Sequence, residues 1–418
     1  MLQSLPIFWR RFLVVLTGSG LSQIIPIAAL PVITRLLPPA ELGPYFIWIA
    51  AVSVLSIIFS LRLDIAIFNT KTTYELCELI QTSIFCASAL ACVTYFGIDV
   101  FSIYFPDLAD QWMINEWRVE ALMLASIWSV NMVVQNAYIY GAYFKRQAMV
   151  RVIQAASVAI AQIAAVLVGW GVKGMIICQT LVTLMIVLWN IIDLMGKYKI
   201  NFPTINVSSL RNTFRQHWRF PVFSMPADFV SSVSGQLPVF LTGSRFGAES
   251  AGQISLTNKA LAAPMRLLAG SVLSVFKEEA AREYRETGRC DDIFKKTFKS
   301  LLLIGVLPFT VLFFFVDSIF ELLFGAQWRV AGEYGSILVP MFFFQFLSSP
   351  LSYVLYIANK QLQDLIWQIV VILVTLYIFL TTKDVKAALT AYSASYSFLY
   401  SIYLYMSYQS SKGKLRGV

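Results

Sequence analysis

LPVITRLLPPAELGPYFIWIAAVSVLSIIFSLRLD, residues 30–64, is the stretch that decides how this chain folds. An apolar segment ends at Thr34, a short turn of Arg, Pro and Glu ends at Gly43, and a second long apolar segment follows. Near its far end the second segment carries two opposite charges, Arg62 and Asp64. The pattern predicts two membrane-spanning helices joined by a tight turn, with ionisable groups inside the second helix.

The same pattern returns in the second half of the chain. LPVFLT, residues 237–242, leads through a short polar segment to Gly252 and then into another apolar segment. Thr242 lies 208 residues after Thr34, and Glu249 lies 208 residues after Glu41, in a chain of 418 residues. These matches predict that the chain consists of two related halves.

The composition indicates a polytopic membrane protein. The 418 residues are 58% hydrophobic and only 13% charged, whereas a soluble domain carries about 25% charged residues. Many apolar runs reach the roughly 20 residues that a helix needs to cross a bilayer, and none alternates as the strands of a membrane barrel do. With one histidine and no CxxC pair, the sequence offers no cofactor and no metal cluster. The net charge of +9 is typical of a membrane protein, because cytoplasmic loops collect Lys and Arg. We therefore do not expect nucleic acid as a partner.

Hydropathy predicts an all-α fold of about 12 transmembrane helices in two six-helix bundles. The spans are 12–34, 43–68, 80–105, 119–143, 150–170, 173–194, 219–242, 250–276, 300–323, 333–357, 364–381 and 386–408. We therefore expect an N-terminal bundle in residues 1–196, a cytoplasmic linker in 197–218 and a C-terminal bundle in 219–418. The linker is either an amphipathic helix or a plain connection. Because each half has six spans, the halves are parallel repeats, which predicts a central cavity between them.

The distribution of Lys and Arg predicts the orientation. Most of the 32 basic residues fall in segments that are cytoplasmic if the N-terminus is cytoplasmic. Since cytoplasmic loops collect basic residues, both termini are expected in the cytoplasm.

Five ionisable residues lie deep in the predicted spans and are the candidate site. They are three cations and two carboxylates: Arg62, Lys259, Arg266, Asp64 and Asp228. A charge at the bilayer centre costs about 2.5–3.5 kcal/mol, so such residues usually serve transport or pair with one another. Spans 7 and 8 place Asp228 and Arg266 at similar depth, where the two side chains are expected to meet, either as a structural salt bridge or in transport.

The deep charges favour an anionic passenger, because cations outnumber carboxylates and desolvated Arg and Lys bind phosphate strongly. Asp64 follows Arg62 by two residues, so on an ideal helix the two side chains point in nearly opposite directions. Both can line one cavity only if the helix is distorted. No arrangement of nucleophile, acid and base appears, and the chain is not expected to be an enzyme.

Several segments together resemble the polysaccharide biosynthesis proteins, the Wzx-type O-antigen flippases. They are residues 33–43 (ITRLLPPAELG), 62–67 (RLDIAI), 263–266 (APMR) and 324–328 (FGAQW) with Ala331 and Gly332. The resemblance implies a member of the multidrug/oligosaccharidyl-lipid/polysaccharide (MOP) exporter superfamily, similar to the multidrug exporters called MATE, in the bacterial inner membrane. Such proteins move an undecaprenyl-pyrophosphate-linked sugar unit, for O-antigen or another surface polysaccharide, between leaflets by alternating access.

The resemblance also implies roles for the five deep charges. Arg62, Lys259 and Arg266 would receive the pyrophosphate or acidic sugars, and Asp228 or Asp64 would couple an ion or form a salt bridge. Membrane lipid and a polysaccharide polymerase would be the partners. Two rivals remain: a drug or cation antiporter of the same fold, which requires a cavity rich in carboxylates, and a membrane glycosyltransferase or polymerase, which requires a large external loop.

Overall fold

The computed structural model describes residues 7–104, 117–198, 207–358 and 360–413. Within these ranges the chain forms fifteen α-helices and no strand. The helices are α1 (Ile7–Leu36), α2 (Pro39–Ser60), α3 (Leu63–Ala66), α4 (Thr73–Tyr104), α5 (Arg118–Tyr140), α6 (Phe144–Leu167), α7 (Gly171–Tyr198), α8 (Val207–His217), α9 (Met225–Phe246), α10 (Ala248–Thr287), α11 (Asp291–Phe324), α12 (Arg329–Leu351), α13 (Val354–Ile357), α14 (Gln361–Thr381) and α15 (Val385–Ser411). The all-α fold class is confirmed.

The long apolar helices identify a multi-pass membrane protein. In the described ranges, 8 helices are long and apolar enough to cross a bilayer, and a ninth span is counted if the two parts of α10, bent by 43°, act as one. The other three predicted spans coincide with α1, α9 and α15, which are 30, 22 and 27 residues long but mix apolar with polar residues. Helices satisfy their own backbone hydrogen bonds, as a chain without access to water must.

The chain divides into two compact units. The first comprises Met1–Leu37 and Pro44–Phe240, and the second comprises Pro38–Gly43 and Leu241–Val418. This division does not test the predicted linker, residues 197–218, so its boundaries stay a prediction. The linker region does contain a helix, α8, which packs on α4 and ends at the buried residue His217.

Buried polar side chains join helices of the first unit. Tyr45 on α2 donates a hydrogen bond of 2.6 Å to Gln179 on α7, and Gln162 on α6 donates to both, at 2.9 and 2.7 Å. All three side chains are buried. Because a buried polar group without a hydrogen-bond partner is costly, these bonds matter for stability, and the network fixes the three helices against one another.

The second unit is built around α12, which packs on α10, α11 and α15. Thr257 on α10 donates a hydrogen bond of 2.7 Å to the carbonyl of Ala331 on α12. The first turn of α2 also belongs to this unit, and Gly43 there lies directly against Gly252 on α10. The turn before α2 is shorter than predicted, because α2 begins at Pro39, a residue type favoured at helix starts.

Candidate functional site

The candidate site forms where the second span is broken. Helix α2 ends at Ser60, and the next two residues, Leu61 and Arg62, adopt left-handed backbone conformations with φ of 46° and 55°. Residues other than glycine rarely adopt this backbone conformation, because their Cβ atom crowds the backbone. The Arg62 N–H donates to the Ser60 hydroxyl at 3.1 Å, and the chain resumes as the short helix α3.

The break places the Arg62 guanidinium between two carboxylates of the first unit. Its Nε lies 2.6 Å from Oδ2 of Asp228, and its Nη1 lies 3.6 Å from Oδ2 of Asp64. An ideal helix would turn the side chains of Arg62 and Asp64 apart. The two left-handed residues are the distortion that brings them together.

The two carboxylates differ in their surroundings. The Asp64 side chain is 6% exposed, whereas that of Asp228 is 40% exposed. Asn136 on α5 donates hydrogen bonds to the Asp64 carbonyl at 2.9 Å and to its Oδ2 at 3.4 Å. Asn136 is not among the five residues predicted from the sequence. Asp64 is therefore held on two sides, and Asp228 is the more exposed of the two partners of Arg62.

The polar face of α9 continues the site. Five residues in a π-helical turn, Phe220–Ser224, precede α9, and such turns occur often at functional sites. Gln236 lies eight residues beyond Asp228, on the same helix face, and donates to the Ser53 hydroxyl on α2 at 3.4 Å. The contacts of Asp228 with Arg62 and of Gln236 with Ser53 place this polar face of α9 against α2 and the break that follows it.

Within the first unit Asp228 is ion-paired with Arg62. The helix break after Ser60 brings the two side chains together, and sequence periodicity does not reveal such a break. The expected meeting of Asp228 with Arg266 stays a prediction. The side chain of Arg266 lies outside the described residues, and Lys259 is half-buried on α10 in the second unit. The site thus unites Arg62, Asp64 and Asp228, while the roles of all five predicted residues stay predictions.

A second charged cluster in the first unit was missed. Asp193 on α7 accepts hydrogen bonds from Tyr138 at 2.7 Å and Arg146 at 3.2 and 3.3 Å, and it also pairs with Lys197. The four-residue spacing of Asp193 and Lys197 was the available signal, since it places both on one helix face.

The described residues contain no candidate metal site, because no group of three His, Cys, Asp or Glu side chains among them lies close enough together to hold a metal ion. The site's chemistry is that of an ion-paired guanidinium, which binds phosphate or carboxylate when a partner is released.

Comparison with known proteins places the chain in a family. The model of a family described as polysaccharide biosynthesis protein matches residues 32–333. The chain belongs to this family. None of the curated proteins matches the chain. The matched range contains all five predicted site residues, so the family assignment and the site concern the same part of the molecule.

Solved structures of MOP superfamily transporters share the fold of this family member. The lipid II flippase MurJ in an inward closed conformation gives a TM-score of 0.71 at 13% identity, with 94% of this chain and 87% of that chain covered. An inward-facing multidrug resistance MATE transporter of the MOP superfamily gives 0.68 at 13% identity, covering 92% and 93%. A MOP transporter from Pyrococcus furiosus gives 0.58 at 13% identity, covering 94% and 93%. At such identity the likeness concerns the fold.

Proposed function

We propose that this protein flips a lipid-linked oligosaccharide, an undecaprenyl-pyrophosphate-linked repeat unit of O-antigen or another surface polysaccharide, across the bacterial inner membrane by alternating access. The polysaccharide biosynthesis family and the transporter fold support this proposal. The observation that carries it is the Arg62 guanidinium, half-buried at the break after α2 and ion-paired with the more exposed of two carboxylates, Asp228. Both termini would be cytoplasmic, and a polysaccharide polymerase would receive the product.

The site suggests how binding and release alternate. Pairing of Asp228 with another cation would remove one of the two negative charges that hold Arg62. The guanidinium would then accept a phosphate through its two parallel N–H groups. Asp64 would remain to position Arg62 through the contacts with Asn136. Lys259 and Arg266 would supply the additional positive charge that a pyrophosphate requires, and no covalent chemistry is involved.

A drug or cation antiporter is the second candidate, and one observation favours it. Around Arg62 the first unit has two carboxylates, Asp64 and Asp228, for a single guanidinium. Such a site would bind an organic cation if Arg62 moved aside, and one similar structure is a multidrug transporter. This candidate makes Asp228 the ligand-binding group and Arg62 a competitor of the drug.

The two candidates are separated by variants of Arg62 and Asp228. A strain lacking the gene, complemented at equal protein level, is tested for surface polysaccharide and for resistance to cationic drugs. The flippase proposal expects Arg62→Ala to abolish export and Arg62→Lys to restore little, because lysine lacks the guanidinium fork. Arg118→Ala is the control. Its ion pair with Asp99 shows nearly the same exposure, 22% and 41%, as the 20% and 40% of Arg62 and Asp228.

The outcome with Asp228→Asn identifies the role of the carboxylate. Lost export at a normal protein level indicates a coupling role, whereas export that falls only in step with protein level indicates a structural salt bridge. Full export by Arg62→Ala would contradict the flippase proposal. Reduced drug resistance in Asp228→Asn, with export unchanged, would favour the antiporter. Transfer of a labelled lipid-linked oligosaccharide in proteoliposomes then tests the activity directly.

A further inference from the structure

A groove runs along the second unit between α14 and α15. Its volume is about 410 Å³, and its walls are almost entirely apolar. Ile366 and Val370 on α14 and Ile402 on α15 line it, with exposed fractions of 53%, 38% and 37%. Exposed apolar side chains are ordinary on a surface that faces lipid, but a groove between them is a place where one chain can lie.

The groove has one polar end. Lys360 and Gln363 at the start of α14 and Gln409 near the end of α15 line that end. The wall then extends from Lys360 to Val370, ten residues of helix, which corresponds to about 15 Å. This is half of the roughly 30 Å hydrocarbon core of a bilayer. The groove therefore has about the length of one leaflet, and Lys360 lies just outside the predicted span 364–381.

Stacked rings and hydrogen bonds connect the side chains of the inner wall of the groove. Trp367 stacks on Tyr403 with ring centroids 4.1 Å apart, and its indole N–H donates to the carbonyl of Leu399 at 3.2 Å. Tyr403 in turn donates to Asp364, which also accepts from Tyr356 at 2.9 Å. A preformed wall loses little freedom when an apolar chain binds, which favours a resident ligand.

We propose that this groove binds an anionic phospholipid of the cytoplasmic leaflet, with one acyl chain along Trp367 and the phosphate at Lys360. Three observations support this occupant: the length of one leaflet, the apolar walls and the single cation at the polar end. Lys360 lies in a loop expected to be cytoplasmic, and the cytoplasmic leaflet carries the anionic lipids that attract basic residues. The inference does not depend on which molecule the protein transports.

Photo-crosslinking tests the proposal on the full-length protein. The protein is reconstituted in phosphatidylcholine vesicles with a trace of phosphatidylglycerol that carries a diazirine in one acyl chain. After illumination, the labelled peptides are mapped by mass spectrometry. We expect the label to concentrate on groove residues of α14 and α15 and to be displaced by phosphatidylglycerol better than by phosphatidylcholine. In Lys360→Ala this preference should fall by about fivefold, the factor expected for one basic residue near an anionic surface.

A matched pair of variants separates the groove from the general lipid surface. Val370→Trp fills the groove and should lose most of the label, whereas Leu373→Trp, three residues further on α14 and 59% exposed, should keep it. Ile402→Trp fills the groove from α15 if Val370→Trp does not fold. Label spread evenly over lipid-facing residues, or unchanged by both filling variants, would overturn the proposal. Stronger displacement by undecaprenyl phosphate than by phosphatidylglycerol would also overturn it, because the occupant would then be a polyprenyl lipid.

Discussion

Replacing Gly43 or Gly252 by alanine should destabilise the second unit, because these glycines lie where two helices touch. A Cβ atom added at Gly252 would lie 2.9 Å from Gly43 Cα and 3.0 Å from the Pro39 carbonyl oxygen, whereas ordinary contacts are 3.4–4 Å. At Gly43 the added atom would overlap the Ala248 carbonyl group. In both cases the obstacle is backbone, which cannot rotate away as a side chain can.

The magnitude follows from two opposing effects. Overpacking costs about 1–3 kcal/mol, and replacing glycine by alanine within a helix returns up to about 1 kcal/mol. We expect Gly252→Ala to lower the free energy of unfolding by ~1–2 kcal/mol and Gly43→Ala by ~3 kcal/mol. For a unit of this size each kcal/mol shifts the melting temperature by about 2–4 °C.

The assay is thermal unfolding of the purified protein in detergent, followed by tryptophan fluorescence. Gly97→Ala on α4 is the control, because no atom lies within 4 Å of the added Cβ, and its melting temperature should stay or rise. The double variant of Gly43 and Gly252 should lose less than the sum of the single losses, since one displacement of the helices relieves both clashes. A melting temperature of Gly43→Ala within about a degree of that of Gly97→Ala would refute a close helix contact at Gly43. Strictly additive losses of stability in the double variant would also refute it.

Three further variants test the first unit. Burial lowers the pKa of His217, so the unfolded chain binds a proton more readily than the folded chain does. The free energy of unfolding should therefore fall as the pH drops below about 6.5. In thermal melts from acid to neutral pH, His217→Gln should show a weaker dependence of the melting temperature on pH. Asp193→Asn leaves Arg146 and Lys197 without their carboxylate partner. It should lower the free energy of unfolding by ~2 kcal/mol in the same thermal melts. Arg62→Gly should melt higher than Arg62→Ala, by the equivalent of ~1 kcal/mol, because glycine adopts the positive φ without strain; equal melting temperatures would contradict a strained backbone there.

The fold was predictable from the sequence because it depends on length and hydropathy. Apolar runs of about 20 residues have few alternatives to the membrane helix, and the structure places helices at every predicted span. The glycines that follow the similar segments of the two halves, Gly43 and Gly252, are visible in the sequence, where Gly43 predicts the end of a turn. In the structure Gly43 lies inside α2 and serves a close helix contact instead.

The pairing at the site was not predictable in the same way. Periodicity assumes an unbroken helix, and on that assumption Arg62 and Asp64 point apart. Leu61 and Arg62 give no local signal for a left-handed conformation, which glycine or asparagine would have provided. Contacts such as Asn136 with Asp64 and Tyr138 with Asp193 join residues more than 50 positions apart, and a single sequence contains no measure of such distances.

The strained backbone is itself an argument about function. Two successive non-glycine residues with positive φ cost roughly 1–3 kcal/mol each, and such strain persists only where surrounding contacts over-determine it. Here those contacts are the two carboxylates around Arg62, which themselves lie in or next to membrane helices. A structural salt bridge alone would form as well from an unbroken helix with the charges on one face. Backbone strain, a half-buried guanidinium and a carboxylate that is 40% exposed coincide at this break, and this combination supports the proposal that the site moves during transport.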